Sequence, residues 1–539
     1  MGEINLKLLL MKRALFRVKA NTILATFVFI VFLLLIVVPV FYTIGTTLIF
    51  DGSLQNNLSL LDNSSLFLLL KSSMLAFSIA FLSTILGAII AYLLYKTNIK
   101  YRGFFKIGFL IPLFVSPYIL AVAWKDFFYF SIGSSSIIST YIGVIFVLTT
   151  IYTPLSMLII GSALTNISTH LEESALTIVR LRRIILKITL PMIKPAIITS
   201  FVLIFILSIS EFTVPAFFGV EVLTTEIFTQ FSAFYNHSFA ILQSTLLISI
   251  CIVLLFIERR HLADAQFLSL GGKGRNNRLY ELYQWKYVSF SLIFILFFIF
   301  IILPFIILFY QSFKGGSVQF IKAFSLLFPT LGSSIGLAVI GAFVIVLIGF
   351  ASAYLLTING SQTTGKLFTW LLLFIFAIPS TVFGISLIKF YNHAIFDFIY
   401  SGYAIIIIGY AGKFSFISSK LIANAIKQIP NSLFEAAQIQ GSKPYRQITK
   451  ILLPLILPTL FAAIVLSFIF CLSELGTSIM LYPPGTEIMP IKVFTIMANA
   501  PQSLTSSMSL VVFAITLVII SFFFLIVKIY QNKYSYYYD

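Results

Sequence analysis

The sequence predicts an all-α membrane protein of about twelve transmembrane helices, arranged as two homologous, parallel halves. Three observations lead there. Hydrophobic residues make up 60% of the chain and charged residues 10%, whereas a soluble domain carries roughly 25% charged residues. Apolar runs near the ~20 residues that cross a bilayer recur along the whole length. The second group of runs also repeats the first in order and in sequence.

The runs fall at 23–46, 72–95, 104–124, 137–162, 192–216 and 237–257, then at 287–312, 333–357, 367–390, 403–424, 455–481 and 504–528. They divide the chain into a basic N-terminal segment (1–22), a first half (23–257), a linker (258–286), a second half (287–528) and a tail (529–539). Lys7, Lys12, Arg13, Arg17 and Lys19 precede the first run, which is too long for a signal-peptide core and reads as an uncleaved first helix. Lys96, Lys100 and Arg102, then Arg180, Arg182, Arg183 and Lys187, then Lys443, Arg446 and Lys450 fall in alternate loops. This positive-inside pattern puts those loops and both termini in the cytoplasm of a multi-pass cell-membrane protein, with Lys314 and Lys322 as exceptions. The same pattern accounts for the net charge of +18, so no nucleic-acid partner is expected; membrane lipid is.

The repeat is specific. Gly87, Ala91 and Tyr92 match Gly349, Ala353 and Tyr354 at an offset of 349 − 87 = 262, and Pro191 matches Pro454 at 454 − 191 = 263. Two halves in the same orientation predict a pseudo-two-fold axis along the membrane normal, with a pathway between them.

One loop carries a long fixed pattern: Glu435-Ala436-Ala437, then Gly441, Ile451 and Leu453-Pro454. The first half holds a degenerate copy, Glu173-Ser174-Ala175, with Val179 in the glycine place and one residue fewer before Leu190-Pro191. A tight turn at Gly441 is expected, because glycine tolerates φ > 0 and valine does not. Each Leu-Pro is expected to open the next membrane helix. The pattern resembles the Glu-Ala-Ala signature of ABC importer permeases, here of the fused two-half type, which implies a MetI-like permease fold. The segments 210–231 and 473–497 are similar to the matching regions of ferric-iron permeases. Thiamine, phosphonate and polyamine permeases share the architecture. The resemblance implies that both loops dock on two copies of a cytoplasmic ATP-binding cassette ATPase. It also implies delivery by an extracytoplasmic solute-binding protein, with no cofactor and no catalytic residue in this chain.

The sequence has no G-x-x-x-x-G-K-[ST] phosphate loop, and the "GGKGRNN" stretch has the wrong order for one, so ATP hydrolysis belongs to a partner. Glu211 and Glu474 stand at equal distances after the paired prolines (211 − 191 = 20; 474 − 454 = 20). Carboxylates at membrane depth are costly, so they face an interior or a cavity. They either converge on the pathway or accept hydrogen bonds from a neighbouring helix or re-entrant segment. Pro112 and Pro379 are expected to kink the third span of each half, and Tyr482-Pro483-Pro484-Gly485 to form a tight turn or re-entrant loop. His170, His237, His261 and His393 form no metal-ligand pattern, and Cys251 and Cys471 read as small buried hydrophobes. A gradient-driven transporter would not need the Glu-Ala-Ala loops, and a membrane enzyme would need clustered catalytic side chains that the spans lack.

Overall fold

In hydrocarbon a backbone N–H or C=O has no water to bond, so an apolar run of spanning length must satisfy its hydrogen bonds internally as a helix. The computed structural model describes residues 23–49, 63–167, 172, 174, 181–257, 279–314, 316–357, 362–497 and 499–535. The basic N-terminal segment, the linker up to 278, the tail beyond Ser535, and Glu173, Ala175, Val179, His170 and His261 lie outside them.

Ten helices among the described residues are long and apolar enough to cross a membrane, and two bent pairs raise the number to twelve. The first half contains α1 (Ile23–Thr46), α2 (Ser64–Lys96), the bent pair α3 (Arg102–Phe114) and α4 (Pro117–Ile132), α5 (Tyr141–Thr165) and α6 (Ile185–Ile209). The short helices α7 (Thr213–Phe218) and α8 (Leu223–Ser232) follow, and α9 (His237–Ile257) closes the half. The second half repeats the order. It runs α10 (Tyr283–Lys314), α11 (Ser317–Thr357), the bent pair α12 (Thr363–Ala377) and α13 (Ser380–Tyr391), and α14 (Ala404–Lys427). The loop helix α15 (Asn431–Ile439), α16 (Tyr445–Ser473), the short α17 (Ser478–Leu481) and α18 (Met489–Met497), and α19 (Gln502–Ser535) complete it.

The prolines shape these helices in two ways. Leu190-Pro191 and Leu453-Pro454 do not open α6 and α16, contrary to the sequence expectation; both helices are already running upstream. A five-residue π-turn directly precedes each Leu-Pro, at Ile185–Thr189 and Ile448–Leu452. The same device occurs at Leu33–Val37 before Val38-Pro39 and at Phe298–Ile302 before Leu303-Pro304. In all four, the residue before proline donates to the carbonyl five back, for example Leu453 N–H to Ile448 O. Proline lacks the N–H for the carbonyl four residues back, and its ring presses on that carbonyl; the wider turn relieves the contact. In α1 the carbonyl so freed is Leu35 O (39 − 4 = 35), and the Tyr391 hydroxyl donates to it at 2.8 Å.

The third span of each half is not kinked but broken. Val115 and Ser116 are extended (ψ 134° and 138°) between α3 and α4, which meet at 98°. Pro379 is extended (ψ 143°) between α12 and α13, which meet at 106°. Residues before proline avoid the helical region, and Ser116 precedes Pro117 as Ile378 precedes Pro379.

The halves interlock. α1 packs on α13 of the other half, with Tyr42 edge-on to Phe390 at 5.3 Å and the Thr43 hydroxyl donating to Ser386 O. α10 packs reciprocally on α4, with Phe130 against Tyr310 at 5.0 Å. Within each half the tightest crossing is α2 on α5 and α11 on α14. A Cβ on Gly87 would lie 2.4 Å from Ser156 Cβ, and one on Gly349 would lie 2.6 Å from Ser418 Oγ. Small residues that let backbones approach are the usual glue of membrane helices, where lipid removes most of the hydrophobic driving force. Cys251 and Cys471 are buried and unpaired with each other, as the sequence reading expects.

Candidate translocation site and coupling loops

The α6 helix ends at Ile209 and a short turn leads into α7; α16 ends at Ser473 and a short turn leads into α17. Glu211 and Glu474 stand in these two turns. Glu211 Oε1 accepts from the Thr213 N–H at 2.9 Å, and its Oε2 from the Tyr152 hydroxyl at 3.4 Å. Glu474 Oε1 accepts from the Thr477 N–H at 2.8 Å. Each carboxylate therefore satisfies a backbone donor at the start of the short helix that follows it.

Both carboxylates also line one cavity of about 210 Å³ between the halves. Its walls come from matching elements: the α3–α4 break, α5 and α6 on one side, and the α12–α13 break, α14 and α16 on the other. Glu211 and Glu474 thus each accept a backbone hydrogen bond and also face one shared cavity. Most of the wall is Leu, Ile, Val and Phe; Tyr152, Ser210, Ser380 and Ser473 add polar atoms.

Two lysines that sequence reasoning missed share this cavity. Lys413 and Lys420 lie on α14, both buried. Lys413 Nζ donates to the carbonyls of Ile378 and, at 3.3 Å, Phe376. These carbonyls lie at the α12–α13 break, where the end of α12 leaves acceptors without helical donors, so an ammonium is favoured there. Formally the cavity balances two carboxylates with two ammonium groups. The signal was present in the sequence: lysines within an apolar run are as costly as carboxylates and mark interior positions just as strongly. Asp126 on α4, also missed, is buried outside this cavity and accepts from the Ser506 hydroxyl of α19 at 2.6 Å.

The second-half loop has the turn its glycine predicts. Gly441 adopts φ +73° after α15. The Gly441 N–H bonds to Gln438 O and the Ser442 N–H to Ala437 O, both at 2.9 Å, which is the Schellman pattern of a glycine-terminated helix. A Cβ at Gly441 would meet nothing within 4 Å, so conformation rather than space demands glycine. On α15, Phe434 packs inward while Glu435 and Ala436 are exposed and Ala437 is half-buried. In the first-half loop Ser174 is helical and exposed. Beside it, Glu172 is fully buried and paired bidentately with Lys96 at 2.9 and 2.8 Å.

Tyr482–Gly485 forms the expected turn: Gly485 has φ +82° and the Thr486 N–H reaches Pro483 O at 3.1 Å. Among the described residues no group of three or more His, Cys, Asp or Glu is placed to hold a metal ion.

The profile of the binding-protein-dependent transport system inner membrane component family matches residues 83–266 and 345–536, one copy in each half. An Fe(3+)-transport system permease of Haemophilus influenzae is 25% identical over 417 residues, covering 76% of this chain and 80% of its own. A ferric transport system permease of Actinobacillus pleuropneumoniae is 23% identical over 479 residues, covering 83% and 69%. A putative 2-aminoethylphosphonate transport system permease of Salmonella typhimurium is 26% identical over 98 residues, covering 18% and 37%.

Proposed function

The chain belongs to the binding-protein-dependent transport system inner membrane components, and from that premise we propose that it is the fused permease of an ATP-driven ferric-iron importer. The observation that carries the proposal is a cavity between the halves, lined by Glu211 and Glu474 from the two repeats. Hard, highly charged cations take oxygen ligands, and two carboxylates with Tyr152 and three serine hydroxyls offer them. The long similarity to ferric permeases supports the cargo.

In this reading a solute-binding protein docks outside and two copies of a cytoplasmic ATPase dock on the loops around Glu173 and Glu435. Both termini and the linker 258–286 are cytoplasmic. α15 presents Leu433, Glu435 and Ile439 to solvent, an apolar pair around one carboxylate, which suits a groove on a partner. Closure of the ATPase pair drives the loops together. The interlocked halves then rock about the cavity, exposing the Glu211–Glu474 level to one side and then the other.

Lys413 and Lys420 favour a second reading, an anionic solute such as a phosphonate. One experiment separates the two. The permease is placed in liposomes with its cognate ATPase, and ATP turnover is measured with binding proteins loaded with ferric iron, phosphonate or thiamine. Stimulation by the iron-loaded protein, lost in Glu435→Lys, supports the proposal. Stimulation only by the phosphonate-loaded protein replaces the cargo. Transport that is independent of ATP and untouched by Glu435→Lys overturns the importer reading.

A further inference from the structure

The repeats can be aligned without the one-residue gap that Glu173 requires. The offset at the paired prolines, 454 − 191 = 263, places Glu172 opposite Glu435 (435 − 263 = 172). These two glutamates live in opposite surroundings. Glu172 has 0% side-chain exposure, and both its oxygens are bound by Lys96, itself 0% exposed, at the last turn of α2. Glu435 is exposed on α15. The sequence explains the difference. At the α2–α11 offset of 262 the counterpart of Lys96 is Ile358 (96 + 262 = 358), which has no charge to offer.

We propose that the two ATPase-facing loops are chemically unequal. Glu172 is a strut that ties the first loop to its own half, and Glu435 is the carboxylate offered to the ATPase. The inference rests on the permease reading above. Its physical basis is the cost of separating a buried pair. If an ATPase side chain captured Glu172, Lys96 would remain buried without a counter-charge, and removing one partner of such a pair is far more damaging than removing both. Glu172 is therefore held in place whether or not the ATPase is bound. Among the described residues Glu435 has no ion-pair partner, so in this proposal the second loop takes its counter-ion from the ATPase.

The test uses the full-length permease reconstituted with its cognate ATPase. Two quantities are read: the amount of ATPase retained by the permease, and the melting temperature of the permease alone in detergent. Glu172→Met alone lowers the melting temperature. Lys96→Met with Glu172→Met restores it and keeps ATPase retention within about threefold of the parent, a difference below one tenfold step of affinity. Glu435→Gln leaves the melting temperature in place and lowers retention by about tenfold or more, as expected when one charge of an interfacial pair is removed. If the double variant melts normally yet loses the ATPase as severely as Glu435→Gln, Glu172 itself contacts the ATPase and the proposal is wrong. Full retention by Glu435→Gln overturns it equally. If the parent protein retains no ATPase at all, it is the permease reading that fails, not the asymmetry.

Discussion

Gly349 gives the sharpest test of the packing, because two effects predict opposite signs. In a helix interior alanine is favoured over glycine by about 1 kcal/mol, so Gly349→Ala on propensity alone would stabilise α11. The structure opposes this. The new Cβ would lie 2.6 Å from Ser418 Oγ and 2.8 Å from the Ser419 backbone nitrogen. Comfortable carbon contacts are about 3.5–4.0 Å, so both approaches are short by about 1 Å. The serine hydroxyl can rotate away, but the backbone nitrogen cannot, so α14 must move. Overpacking of this kind costs about 1–3 kcal/mol, and the backbone clash puts Gly349 at the upper end, leaving a net loss near 2 kcal/mol. Gly336 is the matched control in the same helix: a Cβ there meets nothing within 4 Å, so Gly336→Ala shows the propensity gain alone. Thermal unfolding in detergent, followed by the fluorescence of Trp124, Trp285 and Trp370, reads both variants. Gly349→Ala unfolds below the parent and Gly336→Ala at or above it. A Gly349→Ala protein as stable as Gly336→Ala would refute the close α11–α14 crossing, and by repeat symmetry the α2–α5 crossing at Gly87.

Other outcomes follow from single contacts. Gly441→Ala forces a side chain into φ +73°, costs about 1–2 kcal/mol locally, and lowers ATPase coupling while leaving the melting temperature near the parent value. Tyr391→Phe leaves the Leu35 carbonyl without its hydroxyl donor and destabilises the protein by about 1–3 kcal/mol in the same melting assay. Glu211→Gln and Glu474→Gln keep the shape of the turns but weaken the acceptors; the pair together abolishes iron uptake into liposomes more than either change alone, because both face one cavity. Near-normal uptake by the double variant would show that the carboxylates only cap α7 and α17.

Much of this architecture is legible in the sequence because lipid is a simple solvent. Run length and basic loops suffice to place the spans, and the duplicated spacing from proline to glutamate locates Glu211 and Glu474. The breaks in the third spans are less visible, since 104–124 and 367–390 are each predominantly apolar across the break and hydropathy carries no information on backbone direction. Ser116-Pro117 and Ile378-Pro379 hold that information in local dihedral preference. The helix starts near Pro191 and Pro454 are misread for a related reason: proline marks helix beginnings in water-soluble proteins, but a π-turn lets a membrane helix run through it. The Lys96–Glu172 pair spans 76 residues and depends on a one-residue choice of alignment, so only the fold brings it into view.

The reciprocal seating of α1 on α13 and of α10 on α4 also bears on how the protein is made. When α4 leaves the ribosome its packing partner does not yet exist: Leu303 follows Pro117 by 303 − 117 = 186 residues. At roughly 5–20 residues per second that is a wait of about 10–40 s. During this interval the first half sits in the bilayer with its broken span uncovered, and α1 lacks its partner α13 and has α9 of its own half to pack on. Neither half completes its interior before the other arrives, so covalent fusion keeps the missing surface always within reach.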